Sequence, residues 1–299
     1  MTSRVTTNST ARLMLRGIQD AQKALTDVQG QLASNKRIGV ASDDPNTALT
    51  SIGNRAELRR SQQLDRNADR ATDWLNAADR ATGEAVDLMS QARALVIQAT
   101  SGASDPSSRT AIADQLRQVR QSLLATAGTQ VAGRSIFAGT SANAAYDNTG
   151  VYSGDTGAVT TPVAAGVAMQ VTRTGPELFG AHNGSDPMAG NVFQVLDALA
   201  TAVQGSDGAT LAAGLSAIDT ATTRIQAVQT ELGSRTTQLE GLRSAAKVRD
   251  QELKSRISEL EDIDLAEATV TLKAKELAYQ SALGVAGRLL QTTLLDFLR

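Results

Sequence analysis

The chain has 299 residues, of which 41% are hydrophobic, 20% charged and only 3% aromatic, with a net charge of −2. That near-neutral balance leaves no electrostatic footprint for nucleic acid, and the lack of cysteine removes both disulfides and thiolate chemistry. Alanine supplies much of the apolar content, which suits thin helical packing better than a thick globular core.

Residues 1–8 are polar and are expected to be disordered. Met1 to Leu15 lacks the apolar h-region of a cleaved secretory signal. No run of about 18 apolar residues occurs anywhere, so no membrane-inserted helix is expected. From residue 9 to 32, Ala11, Leu15, Ile18, Leu25, Val28 and Leu32 fall on one helical face at close to the 3.5-residue repeat. Asn35 follows, a residue that tolerates the left-handed conformation and can end a helix. Residues 35–44 read as a polar connector.

Three Asp-Pro steps punctuate the chain: Asp44-Pro45, Asp105-Pro106 and Asp186-Pro187. Aspartate accepts hydrogen bonds from orphan N–H groups at an N-cap, and proline fits the first turn because its missing N–H would be unbonded there. All three are expected to start helices. From Pro45 to about Ala99 a seam of Ala68, Ala71, Leu75, Ala78, Thr82, Ala85, Met89, Ala92, Val96 and Ala99 predicts a rod of roughly 80 Å. Gly102 and the second Asp-Pro step make the turn into a helix carrying Ile112, Leu116, Val119 and Leu123, so an antiparallel hairpin is expected.

Composition shifts after Gly133. Five aromatics lie from Phe137 to Phe193, and short alternating runs such as Val151 to Asp155 and Val167 to Val171 read as strands. A short helix at about 190–204 and a long helical pattern at about 210–260 follow, the latter interrupted by glycines. The final segment has Leu253, Ile257 and Leu260, then a seam shift near Asp262 to Asp264. It resumes with Leu265, Ala268, Leu272, Tyr279, Leu283, Ala286, Leu290 and Phe297. The expected fold is mainly α: a long antiparallel helical rod with paired N- and C-terminal coiled-coil helices and a small inserted β domain. Its expected parts are terminal helices at 1–40 and 255–299, a helical rod at 41–135 and 186–254, and a β-rich outer insert at 136–185.

The residues offer little to catalysis. His182, the single histidine, sits in a Gly-Ala-His-Asn-Gly stretch that reads as a solvated turn, with no second histidine or cysteine to complete a zinc site. Asp43 and Asp44 resemble paired carboxylates, but Pro45 makes the capping role the better explanation. Glu259, Glu261, Asp262 and Asp264 lack the glycine and ligand ladder of a calcium loop and read as a solvated helix junction. Neither a P-loop nor a dinucleotide-type glycine loop is present. Arg55, Arg59, Arg60, Arg66 and Arg70 are offset by nearby acids, so nucleic-acid binding is not expected. No enzyme, cofactor or metal is expected. The terminal seams remain as the functional signal, since narrow-seamed end helices have little else in the chain to bury against and are expected to order on association.

Ala33-Ser34-Asn35-Lys36-Arg37-Ile38, with Ser42-Asp43-Asp44-Pro45, resembles the start of bacterial flagellin-like axial proteins, in particular their hook-associated branch. Gly133 to Thr140 resembles that family's entry into its β domain, and Val151 to Asp155 its next strand-turn. Asp262 to Ala268 resembles the start of its last helix, and Leu294 to Leu298 its C-terminus. The motifs span nearly the whole chain in order. Asn35 departs from the family's usual glycine, though both accept a left-handed backbone. Flagellin itself usually has alanine in place of Pro45.

The resemblance implies a structural, self-assembling component of the extracellular bacterial flagellum at the hook–filament junction, exported unfolded by the flagellar type III system. Its implied partners are further copies of itself, hook-associated protein 1, flagellin, and an export chaperone holding the C-terminal region. The implied assembly seam is Leu15, Ile18, Leu25, Val28, Leu32, Leu272, Tyr279, Leu283, Ala286, Leu290 and Phe297. The implied connector, setting the angle between inner and outer layers, is Lys36, Arg37, Asp43, Asp44 and Pro45. A filament subunit and a cytoplasmic coiled-coil scaffold are the competing readings.

Overall fold

The computed structural model describes residues 7–101 and 105–297, with the side chains of 12–101 and 105–288. The fold is mainly α with a small β insert. Seven helices are described: α1 (Thr7–Ser34), α2 (Pro45–Ser101), α3 (Pro106–Ala127), α4 (Gly175–Phe179), α5 (Val192–Gly205), α6 (Gly208–Glu261) and α7 (Leu265–Phe297). Four short strands form two antiparallel pairs, β1 (Gln130–Val131) with β2 (Arg134–Ser135) and β3 (Thr160–Ala164) with β4 (Val167–Gln170). The chain divides into two compact units, residues 1–59 with 249–299 and residues 60–248. The expected turn residue Gly102 lies outside the described residues.

In the first unit α1 packs along α7, the first helix against the last. Val28 and Ala268 are buried there, as are Ala48 on α2 and Leu253 on α6. Helix α1 starts at Thr7, so residues 7 and 8, expected to be disordered, are helical.

The second unit is built on alanine. Ala68, Ala71, Leu75, Ala78, Thr82, Ala85, Met89, Ala92 and Val96 form the buried stripe of α2, and Ile112, Leu116, Val119 and Leu123 that of α3. Along α6, buried Leu211, Ile218, Ile225, Leu232 and Leu239 recur at heptad spacing. This continuous stripe carries the helix through Gly233 and Gly241, whose cost of about 1 kcal/mol each relative to alanine is small beside the buried face.

Where the alanine stripes end, the aromatics take over. Tyr146 sits at the centre of a cluster, with ring centroids 4.8 Å from Phe193, 5.4 Å from Tyr152 and 5.8 Å from Phe179. Phe137 meets Phe179 edge-on at 5.6 Å. Such edge contacts align positive ring edges with negative ring faces. Burial pushes the Tyr152 phenol up to about 12, and its hydroxyl donates to the Asp155 carbonyl at 2.7 Å. Gly150 lies at φ +85° against Phe193; an added Cβ would fall 2.7 Å from the Phe193 Cβ. Only glycine meets both demands.

Two expectations about local structure are corrected. Val151 to Asp155 is not a strand: among the described residues it makes only an isolated bridge, Tyr146 to Tyr152. The reason is competition from aspartate side chains. Asp147 accepts from the amides of Thr149 and Val151 at 2.9 Å each, and Asp155 from those of Thr140 at 2.7 Å and Gly157 at 2.9 Å. The Val151 amide is thereby withdrawn from any ladder, and the Ser153 and Asp155 amides go to two different segments, the Ala145 carbonyl at 2.9 Å and the Ala138 carbonyl at 3.0 Å. The third Asp-Pro step starts only a three-residue 3-10 turn, Pro187–Ala189. Helix α5 begins later, capped by Asn191 in a reciprocal box with Gln194. The second step behaves as expected, with Asp105 accepting from the Ser107 and Ser108 amides at the start of α3.

Phe179 is fully buried among three rings. Phe179→Ala is expected to lower the unfolding free energy of residues 60–248 by about 3–5 kcal/mol in urea titrations.

Candidate assembly junction

The first unit turns sharply twice, once between α1 and α2 and once between α6 and α7. Asn35, at φ 55°, ends α1 in the left-handed conformation. Lys36 then pairs with Asp262 in an antiparallel bridge. The Arg37 amide donates to the Glu261 carbonyl at 2.6 Å and the Ile263 amide to the Asn35 carbonyl at 3.3 Å. The Arg37 guanidinium reaches the Leu260 carbonyl at 2.9 Å, and Gln31 Nε2 reaches the Arg37 carbonyl at 2.9 Å. The chain thus leaves α1 stitched to the break between α6 and α7, and the orphan carbonyls of both helix ends gain partners.

The connector is organised by its two aspartates. Asp43 accepts from the Gly39 and Val40 amides, both at 3.0 Å. Asp44 accepts from the Thr47 amide at 3.1 Å and its hydroxyl at 2.6 Å, which holds its carboxyl below the usual range and caps α2 at Pro45. Asp264 caps α7 in the same manner, accepting from Ala266 at 2.8 Å and Glu267 at 3.2 Å.

Glu261 lies at the centre. Its carboxylate is buried and receives Lys36 Nζ at 2.5 Å, Arg55 Nε at 2.7 Å, a second Arg55 nitrogen and the Ser51 hydroxyl. One side chain from the end of α6 therefore ties Lys36, the second residue after α1, to the second and third turns of α2. The Arg55 hydrogen bonds, with those of Lys36 and Ser51, outweigh desolvation and hold the Glu261 carboxyl down at about 2. Reading Glu259 to Asp264 as a solvated junction is corrected here. Asp262 is exposed, but Glu261 is withdrawn from water. Sequence reasoning missed Ser51 and Arg55 as well. The signal present was a glutamate at the last residue of a helix, with Lys36 and Arg55 available in a connector and an opposing helix.

The seam residues are distributed unevenly. Val28 is buried; Ile18, Leu25, Leu32, Leu272, Tyr279 and Ala286 are half-buried; Leu15 and Leu283 are exposed. Leu290 and Phe297 lie outside the described side chains. In the connector, Lys36 and Asp44 are half-buried, while Arg37, Asp43 and Pro45 are exposed. Leu13, Val270, Leu277 and Val285 add further exposed apolar surface on α1 and α7. His182 is exposed in a loop, with Nε2 3.4 Å from Gln194 Nε2. Among the described residues no group of three or more His, Cys, Asp or Glu side chains is placed to hold a metal. No described helix is long and apolar enough to cross a membrane.

Removing the charge of Glu261 takes away the anionic partner of Lys36 and Arg55 and leaves the Ser51 hydroxyl with a neutral acceptor. Glu261→Gln is expected to cost about 2 kcal/mol of local stability, read as faster hydrogen exchange at the Arg37 amide. The acid response has a defined sign. The folded carboxyl titrates near 2 and the unfolded one near 4.5, so its contribution is complete above 4.5 and is lost as pH falls through 2. Arg37 protection in the native chain should fall across that window, and in Glu261→Gln that part of the acid response should vanish.

The chain matches two family models, the bacterial flagellin N-terminal helical region over residues 5–142 and the bacterial flagellin C-terminal helical region over residues 215–298. It is 25% identical over 300 residues to flagellar hook-associated protein 3 of Salmonella typhimurium, covering 93% of this chain and 94% of that one. The protein of the same name from Escherichia coli is 26% identical over 270 residues, covering 84% and 85%. Among solved structures, a flagellar hook-associated protein of Vibrio parahaemolyticus superposes with a TM-score of 0.68 at 21% identity, over 74% of this chain and 100% of that one. The matched N- and C-terminal regions contain the two strands of chain stitched together at Glu261. The chain belongs to the flagellin-like family of bacterial flagellar proteins.

Proposed function

We propose that the chain is a structural adaptor at the junction between flagellar hook and filament, adding to hook-associated protein 1 on one side and receiving flagellin on the other. The observation that carries this reading is the unfinished surface of the terminal pair. Helices α1 and α7 pack on each other, yet Leu13, Leu15, Val270, Leu277, Leu283 and Val285 remain exposed on them. Apolar side chains spread along paired terminal helices are poorly placed in water and well placed between copies. The names of the curated relatives support the location, the hook-associated class rather than the filament.

In this reading the terminal helices of successive copies form the inner layer of a tube. The seam Leu15, Ile18, Leu25, Val28, Leu32, Leu272, Tyr279, Leu283, Ala286, Leu290 and Phe297 is shared between pairing within the chain and packing between chains. The connector from Lys36 to Pro45, clamped by Glu261, fixes the angle at which the outer helices leave that layer. The chain reaches its place through the flagellar type III route, its C-terminal region held by an export chaperone beforehand. The work is adhesive and geometric rather than catalytic. A filament-subunit reading shares the same fold and differs only in partners; a cytoplasmic scaffold reading lacks support from the flagellar relatives.

Leu283→Asp separates folding from assembly, because Leu283 is 45% exposed in the single chain. The variant is expected to fold with unchanged helicity yet to fail to restore filaments to a strain lacking the gene, since assembly would bury an unpaired charge. Normal filaments on that strain would overturn the adaptor reading of this seam.

A further inference from the structure

The exposed loop between α4 and α5 carries the chain's single Asn-Gly pair, Asn183-Gly184. The Asn183 side-chain oxygen accepts two backbone hydrogen bonds, from Ser185 at 2.9 Å and from Asp186 at 3.2 Å. Gly184 has no side chain to hinder approach to its nitrogen, and the space where a Cβ would stand is open. Two amides aimed at a carbonyl oxygen form the arrangement that stabilises an oxyanion when that carbonyl is attacked. Here the attacking group, the backbone nitrogen of Gly184, belongs to the next residue.

We propose that Asn183 is a site of self-modification in the folded chain, converting through a succinimide to isoaspartate and aspartate with the Ser185 and Asp186 amides stabilising the transition state. The Gly184 amide gives its proton to solvent hydroxide, and its nitrogen bonds to Asn183 Cγ. Charge gathers on Oδ1 between the two amides. The Cγ–Nδ2 bond then breaks, and the side-chain nitrogen leaves with a proton as ammonia. Water opens the resulting imide at either carbonyl, which yields isoaspartate or aspartate. No oxidant, metal or enzyme enters the balance.

The products alter a defined contact. Gln194 Oε1 accepts from the Asn183 amide at 2.9 Å and from the Asn191 amide at 3.3 Å, while its Nε2 donates to the Asn183 carbonyl at 2.9 Å. The same Gln194 closes the capping box of α5. Isoaspartate routes the main chain through the Asn183 Cβ and Cγ and turns the former Asn183 carbonyl, the acceptor for Gln194 Nε2, into a free carboxylate, which breaks the register with Gln194. The loop then detaches from the start of α5, and this exposed surface changes with the age of the protein. Asparagine is among the thermolabile residues, but lability here is concentrated by the fold.

The test uses the full chain incubated in mildly alkaline buffer, folded or unfolded in urea, with peptide mapping and isoaspartate detection over time. Conversion at Asn183 should run ahead of every other asparagine and several-fold faster in the folded chain than in urea. Ser185→Pro removes one of the two amide donors and should bring the folded rate down to the urea rate, with circular dichroism confirming that helicity is kept. Asn183→Asp should retain native hydrogen exchange at the start of α5, whereas isoaspartate-containing protein should exchange faster there. A folded rate at or below the urea rate, or a Ser185→Pro rate equal to that of the parent chain, overturns the proposal.

Discussion

A carboxylate withdrawn from water at the end of α6 is the constraint on which the first unit depends. A buried charge is costly unless it is matched and hydrogen-bonded. Glu261 meets that requirement only when Lys36, Ser51 and Arg55 converge on it. Those three residues sit on a connector and a helix roughly two hundred positions earlier in the chain. Satisfying one side chain therefore fixes the course of the chain out of α1, into α2 and out of α6. The main-chain links from Arg37 to Glu261 and from Ile263 to Asn35 follow the same path. An ionic clamp of this kind holds the course of the chain between α1, α2 and α6 more sharply than apolar contacts, which tolerate sliding.

The second unit solves a different problem by different means. Its helices bury small residues, so packing is close but each residue contributes little area. The aromatic cluster around Tyr146 concentrates apolar burial at one place and anchors the loops between β2 and α5 to the helices. Polar links secure the β3–β4 hairpin and the segment that leaves it: the Arg235 guanidinium reaches the Gln170 carbonyl at 2.5 Å, Asn67 Nδ2 donates to the Pro162 carbonyl at 3.1 Å, and Arg173, past the end of β4, pairs with Glu231.

Helical structure was legible wherever burial is periodic. The α2 stripe and the α3 face could be read because one repeat governs both the pattern and the packing, whereas along α6 only a helical pattern broken by glycines was visible and its buried heptads emerge in the fold. The Asp-Pro steps were legible at α2 and α3 but not at Pro187, since a cap signal opens a long helix only if an apolar stripe follows it. The strand expected at Val151 failed because the Asp147 side chain takes the Val151 amide and the Ser153 and Asp155 amides go to separate segments, and alternation of residue types does not record that competition. Glu261 was illegible for a related reason. Charge near a helix end usually faces solvent, and its burial here is decided by residues far away in the sequence. Leu15 and Leu283 carry the remaining lesson: helical periodicity is visible in sequence, but the single chain leaves these two positions of the pattern exposed.

The central claim concerns where the chain acts, and a strain lacking its gene tests it most directly. Flagella would be imaged by electron microscopy while flagellin is assayed in the medium. The account predicts hooks without filaments, with monomeric flagellin released into the medium. Filaments of normal length and number would contradict it, and missing filaments with no flagellin in the medium would make the chain the filament subunit instead.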